Sequence, residues 1–502
     1  MSFGGVGGRV GRLSNAEEDE DNIAFPERLN QMRKQSSCKH FERGIEEVDR
    51  LLLELERNLE NAKISLKQRV KFLGRNPSTA TPIFSQKGIS TLSRYALDGD
   101  TSNASREALR TLANAFLLNE AARQTFVDLG YAPKAADRLK VDDRDDEFVI
   151  SRILFLLTYK TNLKFDDLVE HHDLADSINR HVEHHGKTYS KTGRRKSATS
   201  PMEEMSMVET VKLIFNIMAH YPDLRTRFTP AIEPLLNLVR YHPLPSPPLQ
   251  PPISTILNAL MGMDFKSAEQ KTSIGTEAGS NPLFPVDNPE EVMDRLVSIF
   301  DDALRNTPEK DLDLAAMPLC TLIRRVYQLA NEQMKSQMRW LLLPREQDRD
   351  QPLGKGETLS ARLLRTTCAP HLPNLSKNVS GLLFELSDQD ANKYVQNIGY
   401  GFASGFLMSE GIPVPASATD ASSTPVDGSA GARTDINPVT GQRLNAEDSG
   451  PSPSAEMTEE EREREAERLF VLFERLKATG VVDIQNPVQQ AKDEGRFEEL
   501  PD

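Results

Sequence analysis

The segment Glu209–Asn216 reads ETVKLIFN. Its apolar residues recur three and four positions apart, which is the spacing of one helix face and not of a strand. The same frame returns in EALRTLAN (Glu107–Asn114) and in PPISTILN (Pro251–Asn258), each closing on asparagine. MPLCTLIR closes on Arg324 and NVSGLLFE on Glu385, with the apolar frame unchanged. Near-copies separated by tens of residues and joined by further helices are the sequence form of a helical solenoid. At roughly 40–47 residues per armadillo or HEAT unit, the helical part holds about eight or nine repeats. No βαβ unit and no hairpin dipeptide between alternating runs appears, so the predicted fold is all-α, an armadillo/HEAT-like solenoid.

The repeated polar position has two readings. A half-buried amide can tie its helix to the next repeat. Alternatively, side chains at one position of successive inner helices form a ladder along a concave groove and meet the backbone of a bound peptide. On the second reading the groove residues are Asn114, Asn216, Asn258, Arg324 and Arg325.

Outward from these copies the chain divides by composition. Residues 1–24 are glycine-rich and then acidic, a composition that does not support a core. The solenoid is expected over 25–411, with loops near 185–206 and 266–289. The first loop is basic and Ser/Thr-rich, and a proline-stiffened connector, YHPLPSPPLQPP, lies at Tyr241–Pro252. Residues 412–455 turn to Ser, Thr, Ala, Pro and Gly, the make-up of a flexible linker. A helix is predicted over 456–480, with Thr458 as N-cap and three glutamates in the first turn, where the helix dipole favours negative charge. Leu469, Phe470 and Phe473 share its apolar face, and Gly480 ends it. An acidic tail, 481–502, follows.

Composition excludes several function classes. The chain has 502 residues and a formal charge of −14, which is the wrong sign for neutralising phosphates, so nucleic acid is not an expected partner. Cys38, Cys320 and Cys368 are odd in number and far apart, which fits neither a disulfide framework nor a zinc module and suits a reducing compartment. The start of the chain lacks an apolar signal core, and runs such as Ile153–Leu157 are too short to span a bilayer. The expectation is a cytoplasmic monomer without membrane insertion.

Chemistry-bearing motifs are missing in the same way. No nucleophile elbow, Walker A loop, H-E-x-x-H helix or kinase signature occurs, so no catalytic residue and no cofactor is assigned. His181, His184 and His185 have helical spacing but no accompanying carboxylate pattern, and no metal is assigned to them. NIGYGFASGFLMSEG (Asn397–Gly411) spells GxGxxxG, one residue longer than the dinucleotide fingerprint, and follows a helical segment instead of a strand. Its glycines are read as small residues that let two helices approach closely.

Four segments together resemble the synembryn family: ETVKLIFNIMAHYP (Glu209–Pro222), LSKNVSGLLFELSDQDANKYVQNIGYGFASGFL (Leu375–Leu407), DINPVTGQ (Asp435–Gln442) and MTEEEREREAERLFVLFERL (Met457–Leu476). They occur in the family's order, and the details point to a fungal-type member. The resemblance implies a cytosolic armadillo-type exchange factor and folding chaperone for heterotrimeric G-protein α-subunits, taken GDP-bound or nucleotide-free. It implies that the concave groove holds the α-subunit's carboxyl-terminal helix. The distal helix, through Leu469, Phe470 and Phe473, then touches the switch region, and the partner recruits the protein to the plasma membrane. The family's acidic phosphorylation sites have no counterpart in SATDASSTPVDGSAGART (Ser417–Thr434), which leaves Thr458 as the candidate phosphosite. The alternative from another class is an armadillo scaffold that binds two proteins and changes neither.

Overall fold

The computed structural model describes residues 80–189, 200–266, 281–414, 436–437 and 440–443, with Arg50. Segment 1–24, the distal helix 456–480 with Thr458, Leu469, Phe470 and Phe473, and the tail 481–502 lie outside the described residues. The described residues are helical and hold no β-strand, as the spacing predicts. The chain divides into two compact units, one comprising residues up to Leu342 with Arg365–Gln389, the other Leu343–Leu364 with Asp390 onward.

The first unit begins with a single turn and then α1 (Gln86–Leu97), α2 (Asn103–Leu118), α3 (Glu120–Asp128), α4 (Ala132–Arg138) and α5 (Arg144–Leu157). It continues through α6 (Phe165–His171), α7 (Leu174–Lys187), α8 (Pro201–His220), α9 (Ile232–Tyr241) and α10 (Ile253–Gly262). Then come α11 (Glu291–Asn306), α12 (Glu309–Leu329), α13 (Glu332–Leu342), α14 (Leu359–Thr367) and α15 (Pro373–Leu386), of which α14 runs from the second unit into the first. The first layer is α2, α5, α8, α10, α12 and α15, each packed on the next. A second layer, α7, α9 and α11, packs in the same manner and backs α8, α10 and α12. Every near-copy of the ETVKLIFN frame lies in the first layer.

Local chemistry sets the helix starts. Ser102 and Ser105 form a reciprocal capping box at α2, and the Asp143 carboxylate accepts from the Asp145 and Asp146 amides at α5. The stripes then bury as their spacing requires. Leu109, Leu112 and Phe116 of α2, Ile150, Ile153 and Leu157 of α5, and Val211, Ile214 and Ile217 of α8 are all 0% exposed. Burial of each such side chain contributes about 1.5–3 kcal/mol. Helix enters the first expected loop, 185–206, from both sides. α7 continues to Lys187, so His184 and His185 are helical, and α8 begins at Pro201 and already contains Met205.

In the second unit, α16 (Ala391–Ile398) and α17 (Tyr400–Ser409) meet at Gly399, whose φ of +81° turns the chain between them. The expected close helix approach at these glycines is not found. No described atom lies within 4 Å of a side chain built at Gly405, and Gly401 is exposed. The fingerprint-like spacing thus reflects one backbone turn. The stretch expected as linker holds an ordered turn as well: Ile436 and Arg443 pair in an antiparallel bridge that rests on residues 349–353.

The two layers of the first unit are joined by a buried carboxylate. Glu147, on α5, is 0% exposed and accepts from His185 at 2.9 Å, Thr210 at 2.7 Å and Arg144 at 2.6 Å, with the His181 ring at 3.5 Å. The helices α5, α7 and α8 therefore share one acid. Burial alone would raise the Glu147 carboxyl; the hydrogen bond and charge of His185, then the charges of His181 and Arg144, hold it at about 2. Burial lowers His185, but its bonds to Glu147 and Glu203 outweigh this and raise it above the usual imidazole range. His181 is lowered, chiefly by burial, and its Nε2–H donates to the Leu139 carbonyl, 2.8 Å away. Glu203, held below its usual value by the His185 bond, faces His184 at 3.1 Å.

The two shifts favour folding over different pH ranges. A depressed carboxyl stabilises above its unfolded value near 4.5 and loses this as pH falls towards about 2. A raised imidazole stabilises below 6.5 and loses this as pH climbs through its folded value. Both contributions are present together between about pH 4.5 and 6.5. Glu147→Gln removes one of the two carboxylates that match the buried His185 charge, so we expect a loss of about 3 kcal/mol at pH 6 and a flatter pH profile. Thermal unfolding from pH 3 to 9 checks this; a variant with the parent's profile would show that other groups set it.

Candidate functional site: the uncovered face of the first layer

Each first-layer helix has one line of residues that the described chain leaves partly exposed, at spacings of three and four. On α2 it runs Arg106, Arg110, Asn114, Leu117, and on α5 Phe148, Arg152, Phe155, followed by Tyr159. On α8 it runs Val208, Lys212, Phe215, then His220; on α10, Ser254 and Asn258; on α12, Thr321, Arg324 and Gln328. Leu117 is 53% exposed and Tyr159 38%, which is unusual for large apolar groups inside a helical array.

Cross-helix contacts join these lines between α2, α5 and α8 and again between α12 and α15, while α10 packs between α8 and α12. Arg106 reaches Asp146 and Asp143 at 2.9 Å each, and Arg110 reaches Asp145 at 2.5 Å, linking α2 to α5. Arg152 and Lys212 share Glu209, at 3.3 and 3.1 Å, linking α5 to α8. The Tyr159 ring meets Phe155 edge-on at 5.5 Å and His220 at 5.7 Å. At the far end Arg324 holds Glu385 at 2.6 Å and the Asn378 carbonyl at 2.8 Å, joining α12 to α15. Burial lowers the Arg324 guanidinium, but the bond and charge of Glu385 outweigh it and leave it raised. Gly381 sits beneath this guanidinium: a Cβ there would lie 3.1 Å from it. Beside the pair, Cys320 is fully buried and its thiol is pushed up to about 12 by burial, which removes it from nucleophilic chemistry.

The sequence-predicted residues fall into three groups. Asn114 and Asn258 lie half-buried on the face. Arg324 lies at its edge, paired with Glu385; these are the closing residues of two near-copies. Asn216 and Arg325 point elsewhere. Asn216 is 3% exposed and its amide donates to Thr158 at 2.9 Å, tying α8 to the end of α5. Arg325 donates to the carbonyls of Met261 and Met263 at the end of α10 and lies over the Phe265 ring, 5.1 Å from its centre. Its guanidinium is lowered, first by burial.

Phe155, Tyr159 and Phe215 were not predicted to lie here. A signal for them exists in the sequence, since Arg152-x-x-Phe155 and Lys212-x-x-Phe215 place a cation and an aromatic one turn apart in consecutive first-layer helices.

A family model described as guanine nucleotide exchange factor synembryn matches residues 66–496, most of the chain and all of this face. The chain belongs to the synembryn family. A synembryn-like chaperone of Schizosaccharomyces pombe is 33% identical over 170 residues, 32% of this chain and 32% of its own length. Chaperone Ric-8A of Macaca fascicularis is 23% identical over 84% of this chain and 82% of its own. Chaperone Ric-8A of Danio rerio is 22% identical over 90% and 88%. Among the described residues no helix is long and apolar enough to cross a membrane, and no group of three or more histidine, cysteine or acidic side chains is placed to hold a metal.

The two groups of residues differ in what their loss costs. Arg325→Ala strips charged hydrogen bonds from the end of α10 and is expected to cost about 1.5–3 kcal/mol, whereas Asn114→Ala on the open face stays within about 0.5 kcal/mol. Urea unfolding of the two variants decides this, and equal losses would place Asn114 among the structural contacts.

Proposed function

We propose that this protein is a guanine nucleotide exchange factor and folding chaperone for heterotrimeric G-protein α-subunits. Membership of the synembryn family over most of the chain carries the proposal. The first-layer face supports it. An amphipathic partner helix rises about 1.5 Å per residue and packed helices lie about 8–10 Å apart, so one of roughly 25 residues laid across the rows reaches from α2 to α12. Leu117, Phe155, Tyr159 and Phe215 offer apolar contacts to its inner side, and Asn114, Lys212 and Asn258 offer polar contacts at the margins. We assign these residues, with Arg324, to the α-subunit's carboxyl-terminal helix, and Leu469, Phe470 and Phe473 of the distal segment to its switch region.

The mechanism needs no covalent step and no cofactor. The face binds the α-subunit better when the guanine site is empty, because the carboxyl-terminal helix is then free to leave its own domain. By reciprocity, binding weakens nucleotide affinity by the same factor, tenfold for each roughly 1.4 kcal/mol of preference. Incoming GTP restores the loaded form and expels the factor. The same preference for an incompletely ordered α-subunit protects folding intermediates, which is mass action on a partly folded state. The site of action is the cytoplasm, with recruitment to the plasma membrane through the partner.

Release of labelled GDP from a Gi-type α-subunit tests the proposal. The parent protein should accelerate release, and the Tyr159→Ala/Phe215→Ala variant should lose about tenfold or more of the acceleration, the effect of removing central aromatic contacts. Its helicity should stay at the parent level. No acceleration by the parent would identify a scaffold, and parallel loss of helicity and activity would make the two aromatics structural.

A further inference from the structure

In the second unit, a short piece of the expected linker is held down by one arginine. Arg349 is 3% exposed. It donates to the Gly441 carbonyl at 2.9 Å and to the Gln396 and Asn397 carbonyls at 3.1 and 3.0 Å. The end of α16 and the turn at 440–443 therefore share one guanidinium. Backbone bonds continue the seam, with Arg443 donating to the Arg349 carbonyl at 2.9 Å and Leu353 to the Thr440 carbonyl at 3.2 Å. Arg443 also pairs with Asp350 and Glu346 at 3.0 Å each. Gly441 is required at the centre of the turn. Its φ is +70°, and a side chain there would lie 2.4 Å from a Leu353 methyl.

The geometry points to a second tether. The turn at 440–443, bridged to Ile436, re-anchors the chain within the second unit, so that the reach of the distal segment is set by the residues after Arg443 and not by the whole stretch from Val414. Between Val414 and Thr458 lie residues 415–457, a span of 43, but between Arg443 and Thr458 lie only 444–457, a span of 14. Fully extended, these reach at most about 150 Å and about 50 Å. Local concentration at a fixed second site falls as the −3/2 power of linker length, so releasing the turn dilutes the distal segment about fivefold. Arg349 and Gly441 are thus positioning residues for the second contact with the α-subunit. Only this functional consequence rests on the proposed exchange role; the tether itself does not.

Two insertions in the full-length chain separate the possibilities. Fifteen Gly/Ser residues are placed after Gly428, before the turn, or after Gly450, beyond it. Dyes at Met408→Cys, which is 72% exposed in the parent, and at Thr479→Cys report the reach of the tail by energy transfer, with Cys38 and Cys368 replaced by serine. The later insertion should lower transfer and weaken α-subunit binding about threefold, while the earlier one leaves both at the parent level. In a Gly441→Val background both insertions should act alike. Equal effects of the two insertions in the parent background, which do not depend on how well the valine variant folds, overturn the tether. If transfer follows the expectation while α-subunit binding ignores both insertions, the tether stands and the distal contact of the proposed function falls.

Discussion

A carboxylate without water is the constraint on which the two-layer arrangement depends. Glu147 has no solvent contact and must be matched by protein groups, and those groups come from three helices. An apolar interface could slide or swell to accommodate a new packing. A buried charge cannot, because displacing one partner leaves the acid uncompensated in a medium of low dielectric constant. The position of α7 against α5 and α8 is therefore specified by hydrogen-bond geometry as well as by shape. The crowd of histidines in the sequence has its physical explanation here: His181 and His185 are the ligands of an acid, not of a metal.

Much of the architecture was legible because the 3.6-residue period is strong where a helix buries one face. The near-copies all land on first-layer helices, and two of their closing residues, Arg324 and Glu385, meet. Residues on the uncovered face were read less well, for a geometric reason. Neighbouring positions on a helix point about 100° apart, so a register defined by the closing asparagine selects Asn216, which turns inward to Thr158, and passes over Phe215 beside it. Periodicity tells which positions alternate. It does not tell which of two adjacent half-apolar positions the neighbouring helix covers.

The short turn within the expected linker left no sign in the sequence for the opposite reason. A stretch rich in Ser, Pro and Gly has no period, and what holds residues 440–443 is a set of bonds to Arg349 and its neighbours, nearly a hundred positions earlier in the chain. Such long-range pairing leaves no local trace. The glycines of NIGYGFASGFL erred in the other direction: a suggestive spacing proved to contain one demanding position, Gly399, and two undemanding ones.

The cations of the first-layer face are already engaged. Arg110, Arg152 and Arg324 each hold a carboxylate of a neighbouring helix, and the chain as a whole is negative. A face neutralised from within projects little field into solution, so it does not draw a charged partner over distance. Encounter is then left to diffusion without steering from this face, at an ordinary association rate. Discrimination among partners falls instead to how long each one stays.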